Sequence, residues 1–248
     1  MSATGGRLHH RIKQAADVLS PSVLTRKLQT RKLIQNFADE HGMVYFGYVN
    51  YRNDEHRLVR GMTTTAGQED THYCIGTYDG YDVVFVRRRS ESLKFVSGRP
   101  LSRQWLVMQI DLRTKFDVPH VFVGPHPGKD SQYDEITSAL HSFQPIMLGV
   151  FGAHDRQFTN RYTVYTKPSR NIDTERLIHP GLTVQIGQHF WPLAFEIWDG
   201  CLFIYSSNRR PTAALLDVML KNGVWLARQI DERCEELAEE QARLGVGS

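Results

Sequence analysis

The chain has 248 residues, of which 41% are hydrophobic, 23% charged and 10% aromatic. Those are globular values, and they exclude a disordered, collagen-like or coiled-coil chain. A chain of this length can bury a core without a disulfide or metal staple, and Cys74, Cys201 and Cys234 are too few and too scattered for a disulfide framework or a four-cysteine zinc site.

The formal net charge of +3 is unevenly spread. Residues 1–36 carry Arg7, Arg11, Lys13, Arg26, Lys27, Arg31 and Lys32 against the single acid Asp17, a balance of +6 that leaves the remainder at −3. These seven cations define a candidate basic arm for an anionic membrane surface or nucleic acid; a solvated helix face is the plainer explanation. No run of about 18 apolar residues occurs, so no transmembrane segment is expected. The first residues lack a signal-peptide core, and a cytoplasmic location is the default.

In chain order, Ser20-Pro21 opens a helix that runs through Leu24, Leu28, Leu33, Ile34 and Phe37 and stops at Gly42. Residues 43–51 read as a strand, and the polar stretch around 63–67 as a loop. Asp79-Gly80 joins strands at 74–78 and 81–87, because this dipeptide favours a two-residue turn with positive φ. Arg87-Arg88-Arg89 then leaves the hairpin, and Arg99 and Arg103 fall in the following loop. Residues 105–112 form a strand with one apolar face, Leu106, Met108, Ile110 and Leu112. A short strand at 120–124 follows, then a short helix around 136–143 and strands at 147–151 and 162–166. A helix over 172–190 is broken near Pro180-Gly181. Strands at 193–198 and 201–206, joined by Asp199-Gly200, make a second hairpin, and Asn208-Arg209-Arg210 leaves it. A long helix capped by Thr212 ends the chain, with Gly223 predicting close packing against another backbone.

These elements predict an α+β fold: a mainly antiparallel curved sheet with helices packed on one face. Residues 1–19 read as a flexible basic arm and 20–244 as a single domain. The two hairpins suggest a two-fold pseudo-repeat with halves at 20–124 and 136–240, although Asp-Gly is also the commonest independent solution to a tight turn.

The order of the hairpin, the Trp-Leu-Val-Met-Gln-Ile-Asp-Leu strand, the Val-Pro-His-Val-Phe-Val strand, Tyr162-Thr163-Val164-Tyr165, Ile178-His179-Pro180, the Glu196-Ile197-Trp198-Asp199-Gly200 hairpin and the terminal helix resembles a bacterial domain family of unknown function. The resemblance spans roughly residues 30–232. Members of that family often hang from a pair of amino-terminal transmembrane helices, a pair this chain does not show. The resemblance implies a fold and no catalytic residues.

No catalytic constellation, metal site or cofactor is expected. His120 and His126 form the densest histidine group, but no His-Glu-x-x-His or Cys-x-x-Cys spacing supports a metal. Glycine-rich phosphate loops and a nucleophile elbow are absent. Cys74 and Cys201 lie in strand patterns, where cysteine is a small apolar residue. Three of the four aspartates Asp79, Asp82, Asp111 and Asp199 are explained by turns. The arginines Arg87, Arg88, Arg89, Arg103, Arg209 and Arg210 are the candidate anion-binding set, because guanidinium forks match phosphate and carboxylate geometry; charges that block edge-to-edge pairing are the alternative. The leading expectation is a non-enzymatic module that binds a protein partner through Tyr78, Tyr81, Trp191 and Trp198 at its hairpin edges. The alternative is an anionic-ligand or nucleic-acid binder using the arm and the arginine exits.

Overall fold

The computed structural model describes residues 21–48, 59–65, 67–96, 99–207 and 210–243. Nine strands form one antiparallel sheet in the order β1-β2-β3-β4-β9-β8-β5-β7-β6. They are β1 (Val44–Phe46), β2 (Glu69–Tyr78), β3 (Tyr81–Val96), β4 (Arg99–Asp111), β5 (Val121–Pro125), β6 (Gln144–Ile146), β7 (Tyr162–Thr166), β8 (Ala194–Trp198) and β9 (Cys201–Ser206). The helices are α1 (Pro21–Glu40), α2 (Ser131–Ala139), α3 (Arg156–Arg161), α4 (Asn171–Leu177), α5 (Pro180–His189) and α6 (Ala213–Arg243). The fold is α+β, as the patterning predicts.

Both hairpins close where the sequence places them. Tyr78 pairs with Tyr81, and Trp198 with Cys201. The central residues of both turns are left-handed, with φ of 49° and 79° at Asp79 and Gly80 and 53° and 72° at Asp199 and Gly200, the geometry that matches strand twist. β4 joins the hairpins: Ile110 pairs with Val83 on one side and Leu202 on the other. Both turns therefore sit at one end of the sheet, and Arg87, level with Leu106 and Ser206, lies towards the opposite end.

Alternation along each strand separates two cores. On one face Val83, Phe85, Leu106, Met108, Ile110, Phe195, Leu202 and Ile204 pack under the helices, with Ile34 and Phe37 of α1, Phe158 of α3, Leu177 of α4, Ile186 of α5 and Leu216, Leu220 and Ile230 of α6. On the other face Val86, Trp105, Val107, Phe122, Phe203 and Tyr205 are covered by Val59 and Met62 of the segment before β2 and by Tyr133 of α2.

Several elements depart from the sequence reading. β3 and β4 run on far beyond 87 and start well before 105, so Arg87, Arg88, Arg89 and Arg103 lie within strands, not at an exit or in a loop. β1 is confined to Val44–Phe46; residues 49 and 50 of the longer expected strand, like 51, fall outside the described residues. The apolar run 147–151 is irregular, because Gly149 and Gly152 adopt φ of 143° and 134° and bend it out of the sheet. The neighbouring strand is instead Gln144–Ile146. The short helix starts earlier than expected, at Ser131, capped by the Asp130 side chain. Gly223 is a close-packing position, but a Cβ there would meet side chains, Ile110 Cδ1 at 2.8 Å and Ile204 Cγ1 at 3.1 Å, and not another backbone. Tyr81 is buried and donates its hydroxyl to Asp231 at 2.9 Å, so it does not offer a hairpin edge to a partner.

Candidate functional site: a basic groove beside α1

The amino-terminal half of α1 lies alongside the end of β2 and β3, because Ile34, Phe37 and Ala38 pin the later turns of the helix to the core. The earlier turns project over the sheet and enclose a groove of ≈ 1110 Å³. It is lined by Arg26, Lys27 and Arg31 of α1, Arg87 and Arg89 of β3, and Arg210 after β9. Three stretches that are remote in sequence thus deliver six basic side chains to one place. Register sets part of this gathering: Arg87 is opposite Leu106, and Leu106 is opposite Ser206, so the end of β9 lies level with Arg87.

Among the described residues, one acid lines the groove. Glu69 lines the groove and stands 3.8 Å from Arg89, both side chains more than half exposed, a geometry worth little in water. Among the described residues, no carboxylate pairs with Arg26, Lys27 or Arg31. Arg87 is half-buried and donates to Gln104 Oε1 at 2.7 Å, which orients one edge of the guanidinium and leaves further N–H groups to a ligand.

His72 forms part of the wall. A register shift between Thr71 and Cys74 places it on a bulge with φ of 57°, and its N–H donates to Gly47 O at 2.9 Å. Its Nδ1 lies 2.7 Å from the Tyr45 hydroxyl. Burial, aided by the charges of Arg87 and Arg31, pushes the imidazole pKa down to about 4, so the ring is neutral near pH 7.

The sequence-derived set divides. Arg31, Arg26, Lys27, Arg87, Arg89 and Arg210 share the groove. Lys32 faces an adjoining cavity of ≈ 940 Å³ with Arg31, Asp39 and Tyr45. Arg88 points to the other face, is fully buried, and is consumed by Asp70, Thr63 and the carbonyls of Arg60 and Val59. Arg103 is also buried and pairs with Glu135 at 2.9 Å. Arg88 and Arg103 are therefore framework residues that offer no edge to a ligand, which corrects their place in the anion-binding set. Arg7, Arg11, Lys13 and Arg209 lie outside the described residues.

Other chemistry is accounted for by structure. His120 Nε2 is 2.6 Å from Glu196 Oε1 and stacks on Trp198, while His126 sits between Thr163 and the Thr159 carbonyl. Burial pushes the Cys74 and Cys201 thiols up to about 12 and Cys234 up to about 11, away from nucleophilic use at neutral pH. Among the described residues no group of three or more His, Cys, Asp or Glu is placed to hold a metal ion. No described helix is long and apolar enough to cross a membrane.

The site and sheet define an antiparallel α+β fold with a basic groove. No family model matches the sequence, and no curated protein matches it. Among solved structures, the fold is similar to that of the mycobacterial trehalose monomycolate transport factor A, TtfA. The two share 13% sequence identity at a TM-score of 0.54, over 82% of this chain and 93% of that one. That likeness is one of architecture.

Proposed function

We propose that this chain is a non-enzymatic binding module and that the groove between α1 and the β2–β3 end of the sheet receives an anionic group. The observation that carries this reading is the convergence of Arg26, Lys27, Arg31, Arg87 and Arg89 on a groove whose lining, among the described residues, holds one carboxylate, Glu69. Guanidinium forks match phosphate and carboxylate oxygens, and a concave wall raises the local concentration of anions. The architectural likeness to a transport factor supports a binding role over catalysis, and its mycobacterial source supports the bacterial family suggested by the sequence. In this reading residues 20–244 act as one cytoplasmic domain.

The test is calorimetric titration of the full chain with inorganic pyrophosphate at low salt. Binding that weakens steeply as ionic strength rises is expected. Lys27→Glu/Arg31→Glu, which changes two exposed positions of α1, should lower affinity by about tenfold or more, since each lost charge contact with an anion is worth on the order of 1 kcal/mol. No binding at low salt, or equal binding by the variant, would refute the groove as the site.

A second reading, a protein-binding surface, is favoured by a different region. Phe151 and Ile172 flank a cavity of ≈ 430 Å³ with Arg176, His179 and Arg233, and Met147, Val150, Phe151 and Ile172 are all exposed. Large apolar side chains gathered at a surface are a mark of contact with another macromolecule.

A further inference from the structure

We propose that the margin of the sheet formed by α1 and β1 is an interfacial surface for a bilayer rich in anionic lipid, whose headgroups are the anions that meet the groove. The inference rests on the anion-binding reading above and names the source of the anionic group.

α1 and the 43–48 stretch form the two sides of this margin. Leu28 and Arg31 line both the groove and the adjoining cavity of ≈ 940 Å³, which Val44 and Tyr45 also line, while Gly47 lines the groove itself. Lys27, Leu28, Arg31 and Lys32 are exposed and recur at a spacing that puts them on one side of the helix. β1 is the outermost strand. Its alternation turns Tyr45 in against the core beneath the helices and Val44 and Phe46 out. Four large apolar side chains thereby stand exposed along the margin: Leu28 at 66%, Tyr48 at 62%, Val44 at 58% and Phe46 at 43%.

Cations alone suit many anions; cations interleaved with aliphatic and aromatic side chains suit few. At a bilayer surface the apolar groups enter the boundary between headgroups and acyl chains, and aromatic rings settle at headgroup level. Lysine and arginine meet lipid phosphate there while their stems lie along the apolar layer. A nucleic-acid backbone answers the same cations but gives Leu28 and Val44 nothing to enter. The acids nearby do not outnumber the cations. Among the described residues Asp39 and Glu69 are the lining acids of the two hollows. The stretches that adjoin α1 and β1 outside the described residues carry Arg7, Arg11, Lys13, Arg52 and Arg57 against Asp17, Asp54 and Glu55.

The experiment sediments the full chain with vesicles of pure phosphatidylcholine and of phosphatidylcholine mixed with phosphatidylglycerol. Binding to the mixed vesicles, weak binding to the pure ones and loss at high salt are expected. Phe46→Ser/Tyr48→Ser should lower the partition coefficient on mixed vesicles by about tenfold or more, yet leave pyrophosphate titration unchanged, because neither side chain lines the groove. Tyr48→Trp, which keeps an aromatic ring, serves should the double variant fail to fold. Its emission should shift to the blue on mixed vesicles and be quenched by brominated lipid, beyond any change in the parent. Pyrophosphate binding without vesicle binding would overturn the membrane surface and leave the groove standing. Vesicle binding undiminished in the double variant, or no blue shift in Tyr48→Trp, would show contact by charge alone and overturn the surface as well. Preference for single-stranded RNA over the mixed vesicles would do the same, and failure to bind either pyrophosphate or vesicles at low salt would overturn both readings.

Discussion

Arg88 and Asp70 meet fork to fork across β2 and β3, Nε to Oδ1 and Nη2 to Oδ2, each at 2.8 Å. The arginine is wholly removed from solvent, and its remaining N–H groups tie down the segment before β2 through Val59 O, Arg60 O and Thr63 Oγ1. Breaking such a pair strands a buried charge, so Arg88→Ala should cost about 3–5 kcal/mol. Arg88→Met/Asp70→Leu, which removes both charges, should recover a substantial part. Chemical denaturation of the three proteins measures this, and equal losses in the single and double variants would contradict a paired burial.

The Asp79-Gly80 turn carries a second expectation. Both residues are left-handed, and Asp79 also contacts Arg228 of α6. Replacing the pair by Ala-Ala should destabilise the protein by roughly 1–3 kcal/mol, since alanine is strained at positive φ. Thermal unfolding reads the loss, and an unchanged midpoint would speak against the turn geometry.

Acid should loosen the 149–151 loop before it unfolds the sheet. Burial alone would raise the pKa of Glu175, but the N–H groups of Phe151, Gly149 and Val150 outweigh it and hold the carboxyl below its ordinary 4.5. A depressed folded value means a stabilisation present above the unfolded pKa and lost as pH falls through the folded one. Glu175→Gln should cost about 1–3 kcal/mol near neutrality, with the gap to the parent narrowing below about pH 4. Hydrogen exchange at Gly149 and Phe151 reports it residue by residue; a gap constant with pH would remove the carboxylate from this role.

At Gly223 the Ile110 and Ile204 side chains leave no room for branching. Gly223→Val should therefore lower stability by about 1–3 kcal/mol through overpacking, while Gly223→Ala should be milder because helix propensity offsets part of the strain. Denaturation midpoints in the order parent, Ala, Val are expected, and a more stable Val variant would show the α6–sheet contact to be loose.

Much of the fold was legible because its signals are local. An aromatic followed by Asp-Gly fixes a hairpin whatever surrounds it, and the 201–206 and 162–166 strands coincide with their apolar runs. The groove was half legible. Arg87-Arg88-Arg89 reads as one cluster, yet the period of two already evident in Tyr81, Val83 and Phe85 sends 87 and 89 to the helix side and 88 to the opposite core. The joining of Arg26 and Arg31 to Arg87 depends on how α1 is docked, which no local pattern carries. His72 leaves no sequence signature, since its role arises from a bulge. Glu196 does: a carboxylate inside Ala-Phe-Glu-Ile-Trp announces a buried partner, here Tyr205, His120 and the Met62 N–H. Residues 147–151 misled because their apolar side chains mimic a strand while the glycines forbid one.

The two outermost strands of the sheet have only three residues each, and one of them contains Pro145, whose nitrogen has no hydrogen to share. Those two outermost strands themselves offer a neighbouring polypeptide only a short ladder. At these two positions such brevity works against stacking edge to edge with copies of the chain.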